Sequence, residues 1–128
     1  MTSVEVPYSI ASALPSLTVL DITNEVKREV AQSGRESGIA YVSALDEVAL
    51  VRVQERESGF FCDLEDLLTR LVPLEEPERE RLVCLLLGPR TEQIPFVDCE
   101  LCLGRWQRVL LLGFDRPSQP RWQLTLLG

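Results

Sequence analysis

Val97-Asp98-Cys99-Glu100-Leu101-Cys102-Leu103-Gly104-Arg105-Trp106-Gln107 reads as a β-hairpin whose second strand runs into a Gly-x-Trp-Gln string. Extended segments surround it, at 92–97, 100–104, 106–113 and 120–127, so the last third of the chain is strand. Val109 to Leu112 is apolar at consecutive positions, which places that strand centrally in a sheet or against a neighbouring subunit.

Upstream of the hairpin, the periodicity changes from two to 3.6. Phe61, Leu64, Leu67, Leu68 and Leu71 recur at helical spacing until Pro73 stops them. Pro77 can open a second helix, with Leu82, Leu85 and Leu86 turned inward, that ends at Gly88. Earlier still, Gly38–Ser43 and Glu47–Gln54 are strand-like; in the second, Ala49, Val51 and Val53 share one face. Thr23 is a suitable N-cap for a helix over 24–33, with Val26 and Val30 on its apolar face. Residues 3–8 and Ser16 to Leu20 suggest an opening pair of strands around Pro15. The order is strands, helix, strands, two helices and strands. That predicts an α+β domain on largely antiparallel sheet, in one unit over 1–128. Ala49, Val51, Val53, Leu64, Leu67, Leu71, Leu110 and Leu112 are the expected core.

Composition bounds the function. The net charge of −7 opposes nucleic acid or anionic membrane as a main partner. The longest apolar run, Leu82 to Leu87, is far short of a bilayer span. The opening Met1-Thr2-Ser3-Val4-Glu5 lacks the basic flank and apolar core of a signal peptide, which points to a cytoplasmic protein. The four cysteines, Cys62, Cys84, Cys99 and Cys102, are then expected as reduced thiols. Cys99-x-x-Cys102 is half of a zinc motif that no second pair and no histidine completes, so no metal site and no cofactor are expected.

The chain contains no histidine. That removes the ordinary general base near neutral pH and rules out a His-based triad within one chain. Phosphate-loop, dinucleotide-binding and nucleophile-elbow strings are absent as well.

From Ser16 onward, several strings in order resemble the YjbQ family, which is linked to a secondary thiamine-phosphate synthase activity. They are Asp21-Ile22-Thr23, Asp63-Leu64, Arg70-Leu71-Val72-Pro73, Leu86-Leu87-Gly88-Pro89, Pro95-Phe96-Val97-Asp98, Leu103-Gly104-Arg105-Trp106-Gln107 and Arg121-Trp122-Gln123-Leu124-Thr125-Leu126-Leu127-Gly128. The resemblance implies a two-layered β-rich domain with flanking helices and a homotrimer whose sheets pack around the three-fold axis. The implied pocket lies near the subunit boundary.

That pocket is rich in histidine in the family. Here Leu45-Asp46-Glu47 stands where a His-Thr-Ser/Thr segment is expected, and Val53-Gln54-Glu55 where the family has Asn-Glu-Asn. The later histidine stretch is shortened to Glu75-Glu76-Pro77-Glu78-Arg79-Glu80-Arg81, and the hairpin positions commonly glycine and glutamine are Cys99 and Cys102. Asp63, Gly88, Gly104, Trp106 and Gln107 persist.

The resulting candidates are Asp63 and Glu55 as catalytic carboxylates, with Arg52, Gln54, Arg105 and Gln107 as pocket residues for a small anionic ligand. Asp46 is a further acid near the pocket. Each has a plainer reading. Asp63 lies with Glu65 and Asp66 in the first turn of a helix, favoured by the dipole. Trp106 and Trp122 read as core or interface aromatics, and the 76–81 charge run as a solvated helix face. The expected function is a trimeric binding or structural protein with a degenerate pocket. The alternatives are an enzyme on a small phosphorylated or heterocyclic substrate and, more remotely, a redox or metal protein centred on Cys99 and Cys102.

Overall fold

Strand β1 (Thr18–Asp21) opens the described chain, and helix α1 (Thr23–Gln32) follows at once. Next come β2 (Gly38–Ala44), β3 (Ala49–Glu55), α2 (Ser58–Leu71) and α3 (Arg79–Leu87), then β4 (Thr91–Val97), β5 (Glu100–Leu101), β6 (Gln107–Gly113) and β7 (Trp122–Leu127). The structure is a computed structural model, which describes residues 17–114 and 121–128. The strand expected at 3–8 and the turn at Pro15 lie outside those residues.

Two sheets form. One has the order β1-β6-β3 and the other β5-β4-β2-β7, with antiparallel neighbours throughout. The first core lies between the sheets and takes Ala40, Val42 and Ala44 from β2, Ile94 and Phe96 from β4, and Val109 and Leu111 from β6. Helix α1 adds Val26 and Val30 to it. The second core lies on the other side of β1-β6-β3, where Leu50, Leu110 and Leu112 meet Phe61, Leu68 and Val83 of α2 and α3. The α+β architecture expected from the pattern is thus realised as three layers: four-stranded sheet, three-stranded sheet, helices.

The layering explains β6. It is the central strand of its sheet, and the period of two sends alternate residues into the two cores. Its two-sided apolar character is satisfied inside one chain, so it gives no argument for a subunit contact.

The helices turn differently from expectation. In α2 the inward residues are Phe61, Glu65 and Leu68, followed by Val72, whereas Leu67 and Leu71 are 45% and 61% exposed. In α3 they are Arg79 and Val83, and Leu82, Leu85 and Leu86 face outward. Arg79 is buried with its Nε donating to the carbonyl of Val72 (2.8 Å), the residue that ends α2, while its Nη1 and Nη2 have no hydrogen-bond partner among the described residues. The 76–81 run is therefore not uniformly solvated, although Arg81 and Glu78 do form an exposed i,i+3 pair at 3.0 Å.

Local corrections have local causes. Thr23 is the first helical residue rather than the cap, because the Asp21 carboxylate takes the Thr23 N–H at 3.0 Å. Helix α2 starts at Ser58, three residues before the first apolar residue of its periodic pattern, where Glu57 accepts the Phe60 N–H at 2.6 Å. That puts Asp63 beyond the first turn, so the dipole reading of Asp63 does not hold. The hairpin turn places both Asp98 (φ 55°) and Cys99 (φ 66°) in the left-handed region, as a two-residue hairpin loop requires. Cysteine carries a steric cost there that glycine avoids. Cys99→Gly is expected to raise stability by about 0.5–1 kcal/mol in a urea titration; a loss of stability would contradict this turn geometry.

Candidate functional site

The polar cluster that the fold builds most completely lies where β1 gives way to α1. The Asp21 side chain is only 4% exposed and collects four donors. The Thr23 hydroxyl donates to Oδ1 at 2.6 Å and the Thr23 N–H at 3.0 Å, while Arg108 Nε (2.7 Å) and Arg56 Nη1 (2.9 Å) both donate to Oδ2. The Thr23 hydroxyl in turn accepts from the Val109 N–H at 2.8 Å, tying the start of α1 to β6. Burial alone would raise the Asp21 pKa. The hydrogen bonds from Arg108 and Thr23, with the Arg108 charge, outweigh it and hold the carboxyl below its usual range. Asp21 is thus a fixed anion, the opposite of the raised carboxylate that a general base near pH 7 requires.

Three predicted residues gather beside this cluster. Gln54 pairs with Arg108 and Glu55 with Gln107 across β3 and β6, at the end of the sheet where Asp21 stands opposite Leu110. Arg105 precedes them in the turn.

The Gly-x-Trp-Gln string has a structural reason. The Gln107 Oε1 accepts the Gly104 N–H at 2.6 Å, and the Gln107 N–H returns to the Gly104 carbonyl at 3.1 Å. A Cβ on residue 104 would sit 3.1 Å from that Oε1, so glycine keeps the turn closed. Trp106 is exposed, contrary to a core role, and the Arg105 guanidinium lies 4.9 Å over its ring. Trp122 packs against the inter-sheet core as expected.

The remaining candidates lie elsewhere. The Arg52 guanidinium donates to the carbonyls of Val51 and Pro89, both at 2.8 Å, and to that of Leu87. It clamps the C-terminal end of α3 and is engaged there rather than directed at an anion. Asp63 is exposed on α2, in the helical layer, and has no hydrogen bond or ion pair to the other candidates among the described residues. Asp46 accepts the Arg121 N–H at 2.6 Å, in the turn before β3. Asp46 and Glu55 thus flank opposite ends of a seven-residue strand, which spans about 20 Å. Within one chain the acids that the resemblance assigns to one pocket are dispersed.

Sequence reading missed the central role of Asp21 and Arg108. The available signal was Arg108 opening a strand of four consecutive buried apolar residues, at a position where a charge needs a partner.

The four cysteines are free thiols. The Cys99 Sγ donates to the Arg35 carbonyl at 3.3 Å, and Cys102 is exposed. Burial on α3, with Glu80 nearby, pushes the Cys84 thiol up to about 11. At pH 8 iodoacetamide should label it about a hundredfold more slowly than an ordinary thiol. Peptide mapping by mass spectrometry checks this, and labelling of Cys84 as fast as Cys62 or Cys102 would contradict it.

Comparison with known proteins gives a consistent picture. Residues 13–128 match the family described as UPF0047 protein YjbQ-like. A UPF0047 protein of Archaeoglobus fulgidus is 31% identical over 112 residues, which cover 80% of this chain and 86% of that protein. Among solved structures, a structural genomics target from C. acetobutylicum superposes with a TM-score of 0.78 at 26% identity, covering 88% of this chain and 90% of its own. A hypothetical protein from Aeropyrum pernix K1 gives 0.77 at 27% identity, with the same coverage of both chains.

Proposed function

Because this chain belongs to the UPF0047 YjbQ-like family, we propose that it is a homotrimeric binding or structural protein that works without imidazole chemistry. The observation that carries this reading is the outer face of the sheet β5-β4-β2-β7. The register aligns three rows across it: Pro95, Ile39 and Leu127; Gln93, Tyr41 and Thr125; Thr91, Ser43 and Gln123. None of these nine residues is charged, in a chain with 26% charged residues; Glu100, opposite Val97 on the edge strand β5, puts a charge at the rim of the face. Charge is depleted at the centres of protein interfaces, and a neutral sheet face lets chains of net charge −7 pack against one another. This is the face that sheet packing around a three-fold axis would bury.

The pocket chemistry supports the same reading. With no histidine, a base must be a carboxylate of raised pKa, and Asp21, the carboxylate at the centre of the polar cluster, is held as an anion. Losing an imidazole base removes about 10²–10⁴-fold of rate. Any small anionic ligand would be met by Arg105 and the arginines around Asp21.

Light scattering should give a mass that is a multiple of three 14.5 kDa chains. Gln93→Lys with Thr125→Lys should break the three-fold contact. A 14.5 kDa monomer at micromolar concentration would reject the trimer. A coupled thiamine-phosphate synthase assay should show negligible turnover, and elemental analysis no stoichiometric transition metal; turnover abolished by Asp63→Ala would show a rebuilt pocket.

A further inference from the structure

The helical layer presents an apolar surface on the side of the domain away from the neutral sheet face. Phe60, Leu67 and Leu71 of α2, Leu74 after it, and Leu82, Leu85 and Leu86 of α3 are all exposed, Leu85 by 79%. Both helices cover the same side of β1-β6-β3 and meet where Arg79 reaches Val72. Their outward side chains leave on the order of 700 Å² of apolar surface, above the few hundred usual for the largest patch of a monomer.

We propose that this surface is a two-fold contact between two copies of this chain, with α2 and α3 of one protomer packed on α2 and α3 of its partner. Three observations favour that occupant. First, the area fits: burying it on both copies removes roughly 1,400 Å², within the range of stable interfaces. Second, the charges fit. In α2 Asp63 and Asp66 precede Arg70; Glu78, paired with Arg81, stands just before α3, whose first turn alternates Arg79, Glu80 and Arg81, and Arg90 follows its end. A two-fold axis perpendicular to the helices, which is the axis proposed, sets them antiparallel, acid end against basic end, with opposed dipoles. Third, a lipid surface fits poorly, because the chain has one lysine and a net charge of −7.

The contact is separate from the proposed three-fold packing, and the two fail independently. Native mass spectrometry and sedimentation of the full chain should show a species with twice the chains found in Leu85→Glu/Leu86→Glu. These positions are exposed in one chain, so the variant should keep the wild-type circular dichroism spectrum, with the melting temperature lowered only by the lost contact. Glu78→Arg and Arg90→Glu should each weaken the doubling by at least tenfold in dissociation constant, and the pair together should restore it, because each copy carries both changes. Gln93→Lys/Thr125→Lys should leave a dimer. A wild-type mass of one trimer unchanged by Leu85→Glu/Leu86→Glu would overturn the two-fold contact while leaving the three-fold one standing. A fall to one third of the wild-type mass would overturn it too, by placing the helices in the cyclic contact. So would binding to neutral phosphatidylcholine vesicles that this variant abolishes.

Discussion

Phe61→Ala is expected to lower stability by about 4 kcal/mol, enough to abolish a cooperative urea transition in a marginal domain. The ring is fully buried between α2 and the face of β6 that carries Leu110 and Leu112, and it meets Phe60 edge-on with centroids 5.3 Å apart. Removing it deletes the largest apolar contact of the helical layer and leaves a cavity that three elements cannot close together. Leu67→Ala and Leu71→Ala, on the outward face of the same helix, should cost under about 1 kcal/mol each. If the two leucines prove as costly as Phe61, α2 is rotated from the orientation described.

Asp21→Ala should cost about 3 kcal/mol at pH 7. The loss combines the hydrogen bond to the Thr23 N–H with the acceptor for two guanidiniums and a buried hydroxyl. Arg56 and Arg108 are partly exposed and can turn to water, which keeps the figure below that for a fully buried pair. The pH dependence has a fixed sign. The folded carboxyl titrates below its ordinary value of 3.8, so its contribution is complete above that value and disappears as pH falls through the lower folded one. Urea midpoints of wild type and Asp21→Ala should therefore differ most at neutral pH and converge below about pH 4. A gap that widened on acidification would be inconsistent with a lowered Asp21 pKa.

Strand existence was legible because alternation and pairing agree. Ala49, Val51 and Leu50 fall on opposite faces of β3, and each face meets its own core. Helix existence was legible too; helix orientation was not. Helix α2 carries two apolar stripes, 61-68-72 and 60-67-71, with Leu64 between them packed partly against the helical-layer core as expected, and periodicity cannot say which stripe a sheet covers. The covered stripe contains Glu65, and in α3 it contains Arg79, charges that a hydrophobicity rule sends outward. Arg79 is inside with only its Nε bonded, to the Val72 carbonyl. The candidate site fared similarly. Gln54, Glu55 and Gln107 come together because register brings them together, whereas Arg52 and Asp63 are placed by helical contacts that no string of residues declares.

The pairing of Thr18 with Gly113 bears on how the chain leaves the ribosome. Strand β1 is made before α1, β2, β3, α2, α3, β4 and β5, all of which precede its partner β6, which is also the partner of β3. At about 5–20 residues per second, β1 waits roughly 5–20 s for the strand that completes its sheet. The second sheet gains its last strand, β7, later still. No nascent fragment ending before β6 contains a finished three-stranded layer, so neither core can close. Acquisition of structure is thus postponed until β6 and β7 have been made, and translation speed rather than intrinsic folding rate sets how long the unfinished chain is open to chaperones and proteases.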